Sequence, residues 1–114
     1  MAEDDFLEAL TALEDVLADH GRRARLIKTR IAQIRRRRSS GASYTEIVSS
    51  NDRPLIVQLL TESSIALDTC GADVRRAEAR ALYGEGLTME QIAERFGVTR
   101  QRVSTLLRQA KGTK

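Results

Sequence analysis

One seam of positions runs through the first third of the chain in alternating steps of four and three: Phe6, Leu10, Leu13, Leu17, His20, Ala24, Ile27, Ile31 and Ile34. All but His20 are apolar, and Leu7, Val16 and Leu26 broaden the stripe. A mean spacing of 3.5 residues marks a heptad seam. It predicts one helix over residues 4–38, about 50 Å long at 1.5 Å per residue. No proline interrupts it, and Gly21 costs only about 1 kcal/mol against alanine. A rod of this length cannot bury its seam on itself and needs a partner helix. A second series follows Pro54: Ile56, Leu60, Ser63, Leu67, Cys70, Val74, Ala77 and Ala81, reinforced by Leu55, Leu59 and Leu82. It reads either as one long helix to Tyr83 that tolerates Gly71, or as a helix stopping near Cys70 and restarting at Asp73. Pro54 suits a first helical turn.

Between the two rods lies Ser39-Ser-Gly-Ala-Ser43, the clearest break in the chain. Ser43 is placed to cap a short helix over Tyr44–Ser49 with Glu46 as its third residue. Asn51-Asp-Arg-Pro54 reads as a second turn. The run Gly41-Ala-Ser-Tyr-Thr-Glu-Ile47 echoes Gly86-Leu-Thr-Met-Glu-Gln-Ile92 in its order of turn, cap and helix. The first copy is followed by a proline and reads as a packing turn, or at most a degenerate relic.

The pattern tightens near the C-terminus. Thr88 and Gln91 fit a capping box. Ile92, Ala93 and Phe96 share one helical face, and Gly97 supplies a position where the chain can take positive φ and stop. Val98 is expected to lock the turn with its apolar side chain. Thr99 caps a second short helix over Thr99–Gln109, whose inner face is Val103, Leu106 and Leu107. These residues resemble the helix-turn-helix superfamily. Val98-Thr-Arg-Gln-Arg-Val103 is similar to the DNA-reading end of sigma-factor region 4, and Ala81-Leu-Tyr-Gly-Glu-Gly-Leu-Thr88 resembles resolvase and invertase DNA-binding domains. The resemblance covers about residues 73–110. It implies double-stranded DNA as a partner, without the activities of complete sigma factors or recombinases. The second short helix would enter the major groove. Arg100, Gln101, Ser104 and Thr105 are the expected base readers, because arginine pairs bidentately with guanine and glutamine with adenine. Thr88, Thr99, Arg102 and Arg108 are the expected phosphate contacts. For Arg102 and Arg108 the competing fate is an ion pair with Glu90 or Glu94.

The expected architecture is therefore all-α: a coiled-coil-like dimerisation helix (1–38), a linker with a short helix (39–53), a second long helix (54–72) and a trihelical DNA-binding domain (73–114).

Charge changes the picture of the first rod. Residues 1–19 carry seven acids and no base, and residues 20–38 carry nine bases and no acid. The split suits the helix dipole. It also favours a homodimer in which two copies of the seam Phe6–Ile34 run antiparallel, acid beside base, crossing near His20, Gly21 and Ala24. The competing arrangement packs the seam on the chain's own second rod. Arg35–Arg38 can serve DNA phosphates, the partner's acids or solvent.

Other chemistry is thin. Aromatics are 4% of residues, too few to build stacking platforms for single-stranded nucleic acid. Cys70 lies on an apolar stripe as a small hydrophobe, and His20 reads as a polar core residue without co-ligands. No nucleophile–base pair, carboxylate pair or glycine-rich phosphate loop is present, so neither an enzyme nor a cofactor is expected. No apolar run nears the ~20 residues a membrane span needs, and the acidic N-terminus is unlike a signal peptide. A cytoplasmic, nucleoid-associated DNA-binding regulator is the leading expectation. The alternatives are an adaptor or anti-sigma-like module that binds RNA polymerase or a sigma factor, and a nucleoid-type architectural DNA binder.

Overall fold

A computed structural model of the chain describes residues 4–50 and 53–109. Asn51 and Asp52 of the expected second turn, and residues 110–114 of the expected DNA-binding domain, lie outside the described residues. So does Glu3. The described residues form five helices and no strand: α1 (Asp5–Ser39), α2 (Tyr44–Ser50), α3 (Ile56–Gly84), α4 (Met89–Phe96) and α5 (Arg100–Arg108).

The helix ends are set locally. Asp4 caps α1: its Oδ1 accepts the Phe6 and Leu7 amides, each at 3.1 Å. Acids in the first turn and arginines in the last complement the dipole. At the other end Gly41 takes φ +99°. The Gly41 amide donates to the Arg38 carbonyl at 3.0 Å and the Ala42 amide to Arg37 at 3.1 Å, a Schellman closure. Ser43 and Glu46 then form the expected capping box for α2, with bonds of 2.8 and 3.1 Å. The Ser43 backbone bond, and then its hydroxyl bond, hold the Glu46 carboxyl below its usual pKa.

Pro54 does not enter the first turn of α3. It follows a cis Arg53–Pro54 bond and precedes the helix by two residues. The start is fixed instead at Leu55, whose amide donates to Gln58 Oε1 at 2.7 Å while its carbonyl accepts the first helical bond from Leu59. From there α3 runs unbroken through Gly71. Asp73, the alternative restart point, does not cap a new helix and pairs with Arg76 one turn on.

The chain divides into two compact units. One is Val16–Ala66. Here Ile47 and Leu59 are buried. α1 meets the start of α3 antiparallel, through an unexpected row. Arg23 Nε donates to Ser63 Oγ at 2.8 Å, and Arg30, only 6% exposed, donates to the Pro54 and Arg53 carbonyls at 3.2 and 3.3 Å. The heptad seam is divided in this unit: His20, Ile27 and Ile34 are half-buried on the side of Arg23 and Arg30. The seam residues Leu17 and Ile31 are 51% and 37% exposed, and Ala24 is exposed as well. Arginine can sit on the inner side because its long stem packs while its head finds carbonyls. His20 is half-buried, and its Nδ1 has no hydrogen-bond partner among the described residues. Two members of the arginine run are tied to α2: Arg37 donates to Ser50 Oγ at 2.5 Å, and the Arg38 guanidinium lies 4.2 Å from the Tyr44 ring centre.

The second unit joins the residues up to Asp15 with those from Leu67 onward. Its core is Ala79, Ile92, Ala93, Val103 and Leu106, with Leu82, Leu87, Met89, Phe96 and Leu107 packed around it. α3 thus supplies the first of the three helices around this core through Ala79 and Leu82. On another side of α3, Asp73, Arg76, Ala77 and Arg80 face Asp5, Glu8, Ala9 and Ala12 of α1 around a cavity of about 220 Å³. Acids from the first turns of α1 therefore line the same space as arginines of its own chain. Cys70 is buried, and burial, with Asp73 nearby, pushes its thiol pKa up. A raised pKa fits packing rather than thiolate chemistry.

Candidate nucleic-acid interface

The reader begins with two caps and a turn. Thr88 Oγ1 accepts the Gln91 amide at 3.1 Å, and Gln91 Oε1 accepts the Thr88 amide at 2.9 Å. α4 ends at Gly97, φ +69°. The Gly97 amide donates to Glu94 at 3.3 Å and the Val98 amide to Ala93 at 3.0 Å, again a Schellman closure. Val98, whose amide makes the second of these bonds, is 40% exposed. Thr99 Oγ1 then accepts the Arg102 amide at 3.0 Å and opens α5.

The requirement at Gly97 can be measured. A Cβ there meets nothing within 4 Å, so Gly97→Ala carries only the left-handed backbone penalty of about 1–2 kcal/mol. Denaturant melts should show that loss, with a smaller one for Gly97→Asn, since asparagine tolerates this conformation. Equal stability for all three proteins would remove the turn from the argument.

The side chains of α5 sort by register. Val103 and Leu106 are buried against α4 and Ala79. Gln101, Ser104, Thr105 and Arg108, at spacing i, i+3, i+4, i+7, lie on the opposite face. Two of them brace the others. Thr105 Oγ1 donates to the Gln101 carbonyl at 3.1 Å, and Arg108 Nη1 donates to Ser104 Oγ at 2.6 Å. Ser104 and Thr105 are half-buried, while Gln101 and Arg108 are exposed.

Arg100 and Arg102 occupy the two flanks. Arg100 Nε pairs with Glu90 Oε2 at 2.9 Å, both side chains more than 60% exposed. The ion pair with Glu90, the competing fate of Arg102 and Arg108, is made by Arg100 instead. Arg100 lies one turn before Val103, on the flank turned toward the start of α4, whereas Arg108 belongs to the outer face. Glu90 was not among the expected site residues. Together with Tyr83, Gly86, Leu87, Thr88, Met89 and Arg100 it lines an open depression of about 390 Å³. The signal for it was positional: Glu90 is the second residue of α4 and Arg100 the first of α5, and a tight turn folds those two ends together.

Among the described residues no helix is long and apolar enough to cross a membrane, and no cluster of histidine, cysteine or acidic residues is arranged to hold a metal.

Residues 79–111 match the family model of Sigma-70, region 4, a helix-turn-helix DNA-binding domain. No significant match was found among curated proteins or solved structures.

Proposed function

We propose that this chain is a sequence-specific, double-stranded-DNA-binding transcriptional regulator that works as a homodimer in the cytoplasm. The observation that carries the reading is the outer face of α5. Gln101, Ser104, Thr105 and Arg108 stand opposite the buried Val103 and Leu106 within a stretch matching Sigma-70, region 4. α5 enters the major groove with Gln101 and Arg100 toward base edges. Thr88, Thr99 and Arg102 hold the backbone, and the amide ends of α4 and α5 face phosphate. One short helix reads few base pairs, so a useful operator needs two copies.

A randomised-duplex selection with the intact protein tests this. The expected product is a motif of two related half-sites, bound with a steep salt dependence. Salt-dependent binding without any enriched motif would reduce the protein to an architectural binder. The absence of duplex binding, with capture of an RNA polymerase or sigma subunit, would make it an adaptor.

A further inference from the structure

Within the Val16–Ala66 unit, the fold engages some of the nine bases of residues 20–38 and leaves others over. Arg23 and Arg30 turn inward to Ser63 and to the Pro54 and Arg53 carbonyls. Arg37 bonds Ser50, Arg38 bonds the Ala42 carbonyl, and Arg22 pairs with Asp19. Arg25, Lys28, Arg35 and Arg36 remain, all exposed and without an ion pair among the described residues. At about 100° per residue these four fall within one arc of about 100°. Arg23, Ile27, Arg30 and Ile34 lie on the opposite side of α1, so the arc points away from α3. Thr29, Ala32 and Ser39 fill the rest of it. It holds no acid and no apolar group larger than a methyl.

We infer that this outer face of α1 is a second binding surface for double-stranded DNA, one that grips backbone phosphates and does not read sequence. The inference rests on the DNA-binding reading above and adds to it a surface carried by residues other than those of α5. Its dimensions suit a duplex. Arg25 and Arg36 stand about 17 Å apart along the helix, a length over which duplex DNA presents about ten phosphate charges. Three of the four bases are arginines, whose forked donors match phosphate oxygens. A partner that binds through apolar contact finds nothing here to bury but the Ala32 methyl. A second copy of the chain is a poorer match, because most acids of its α1 are already committed. Asp4 caps the helix, Asp19 pairs with Arg22, and Asp5 and Glu8 have contacts of their own. Among the described residues of that acidic stretch, only Glu14 and Asp15 are left to set against four bases.

Titration of full-length proteins with a duplex of random sequence is the test. It compares the wild type, a face variant (Arg25→Gln, Lys28→Gln, Arg35→Gln, Arg36→Gln), a reader variant (Arg100→Ala, Gln101→Ala, Arg102→Ala) and the two sets combined. The reader variant should still bind. The combined variant should bind about tenfold more weakly than the reader variant, or worse, and should lose about one unit of log–log salt slope for each base removed. Glutamine forms helix about as well as arginine and lysine, and circular dichroism should show the helix content unchanged. Arg25→Lys, Arg35→Lys and Arg36→Lys together keep the charges and should keep the wild-type slope. Equal affinity and slope for the reader and combined variants overturn the proposal. So does a face variant that loses self-association in sedimentation equilibrium without losing duplex affinity, since the face would then belong to a second copy. Motif selection reports on α5 alone, and the face variant should enrich the same motif as the wild type. Either experiment can therefore fail while the other succeeds.

Discussion

Ile92→Ala is expected to destabilise the helix-turn-helix by about 2–5 kcal/mol, the usual range for emptying a buried isoleucine site. Ile92 is fully buried, and two of the five members of its cluster, Ala79 and Ala93, are alanines. The fully buried volume rests on Ile92, Val103 and Leu106, with Leu82, Leu87, Met89, Phe96 and Leu107 packed around them. The whole stability of a small domain is of the same order as the loss, so α4 and α5 should unfold together, and DNA binding should go with them. Denaturant melts followed by circular dichroism give the first quantity, and titration with duplex gives the second. Leu107→Ala, at a half-buried position in the same helix, should cost clearly less. A loss at Ile92 below about 1 kcal/mol, within reach of an ordinary surface change, would mean this cluster does not hold the domain.

The second large effect concerns the Arg100–Glu90 pair. Arg100→Ala should weaken binding to the selected site by about 1–3 kcal/mol and leave non-specific binding nearly unchanged, as for an arginine bidentate to guanine. Equal loss on every sequence would demote Arg100 to a phosphate contact. Glu90→Gln separates orientation from charge. The pair is exposed, so its removal should change stability by no more than about 0.5 kcal/mol. With Nε engaged by Glu90, the two terminal nitrogens of Arg100 remain as the fork that would meet a guanine edge under the proposed docking. Without Glu90 the fork loses its restraint, and a carboxylate no longer repels phosphate. Non-specific affinity should rise while discrimination at one base pair falls. An unchanged specificity ratio would show that Glu90 does not orient Arg100.

What could be read from the residues, and what could not, follows the range of the interaction involved. The capping boxes at Ser43–Glu46 and Thr88–Gln91 and the reversal at Gly97 are bonds within five residues. Local chemistry states them outright, and the order of helices follows. The face that α1 turns toward α3 was hidden. Periodicity favours the apolar row, but the observed contact uses Arg23 and Arg30. Their acceptors are two carbonyls of a turn beside a proline and one serine of α3, a constellation that exists only once the chain has folded. The same holds at Arg100. Its residue type marked it as a reader, and only the turn geometry assigned it Glu90 instead of a distant acid.

Three junctions of the chain share one construction: Gly41-Ala-Ser43, Gly86-Leu-Thr88 and Gly97-Val-Thr99. In each, the glycine and the residue after it return their amides to the helix just finished, and the hydroxyl residue opens the next. The consequence lies in the order of folding. Every bond in these junctions closes a loop of a few residues, which forms far faster than contacts between distant segments. The stops of α1, α3 and α4 are therefore encoded in segments of a few residues and need no contact with a distant part of the chain.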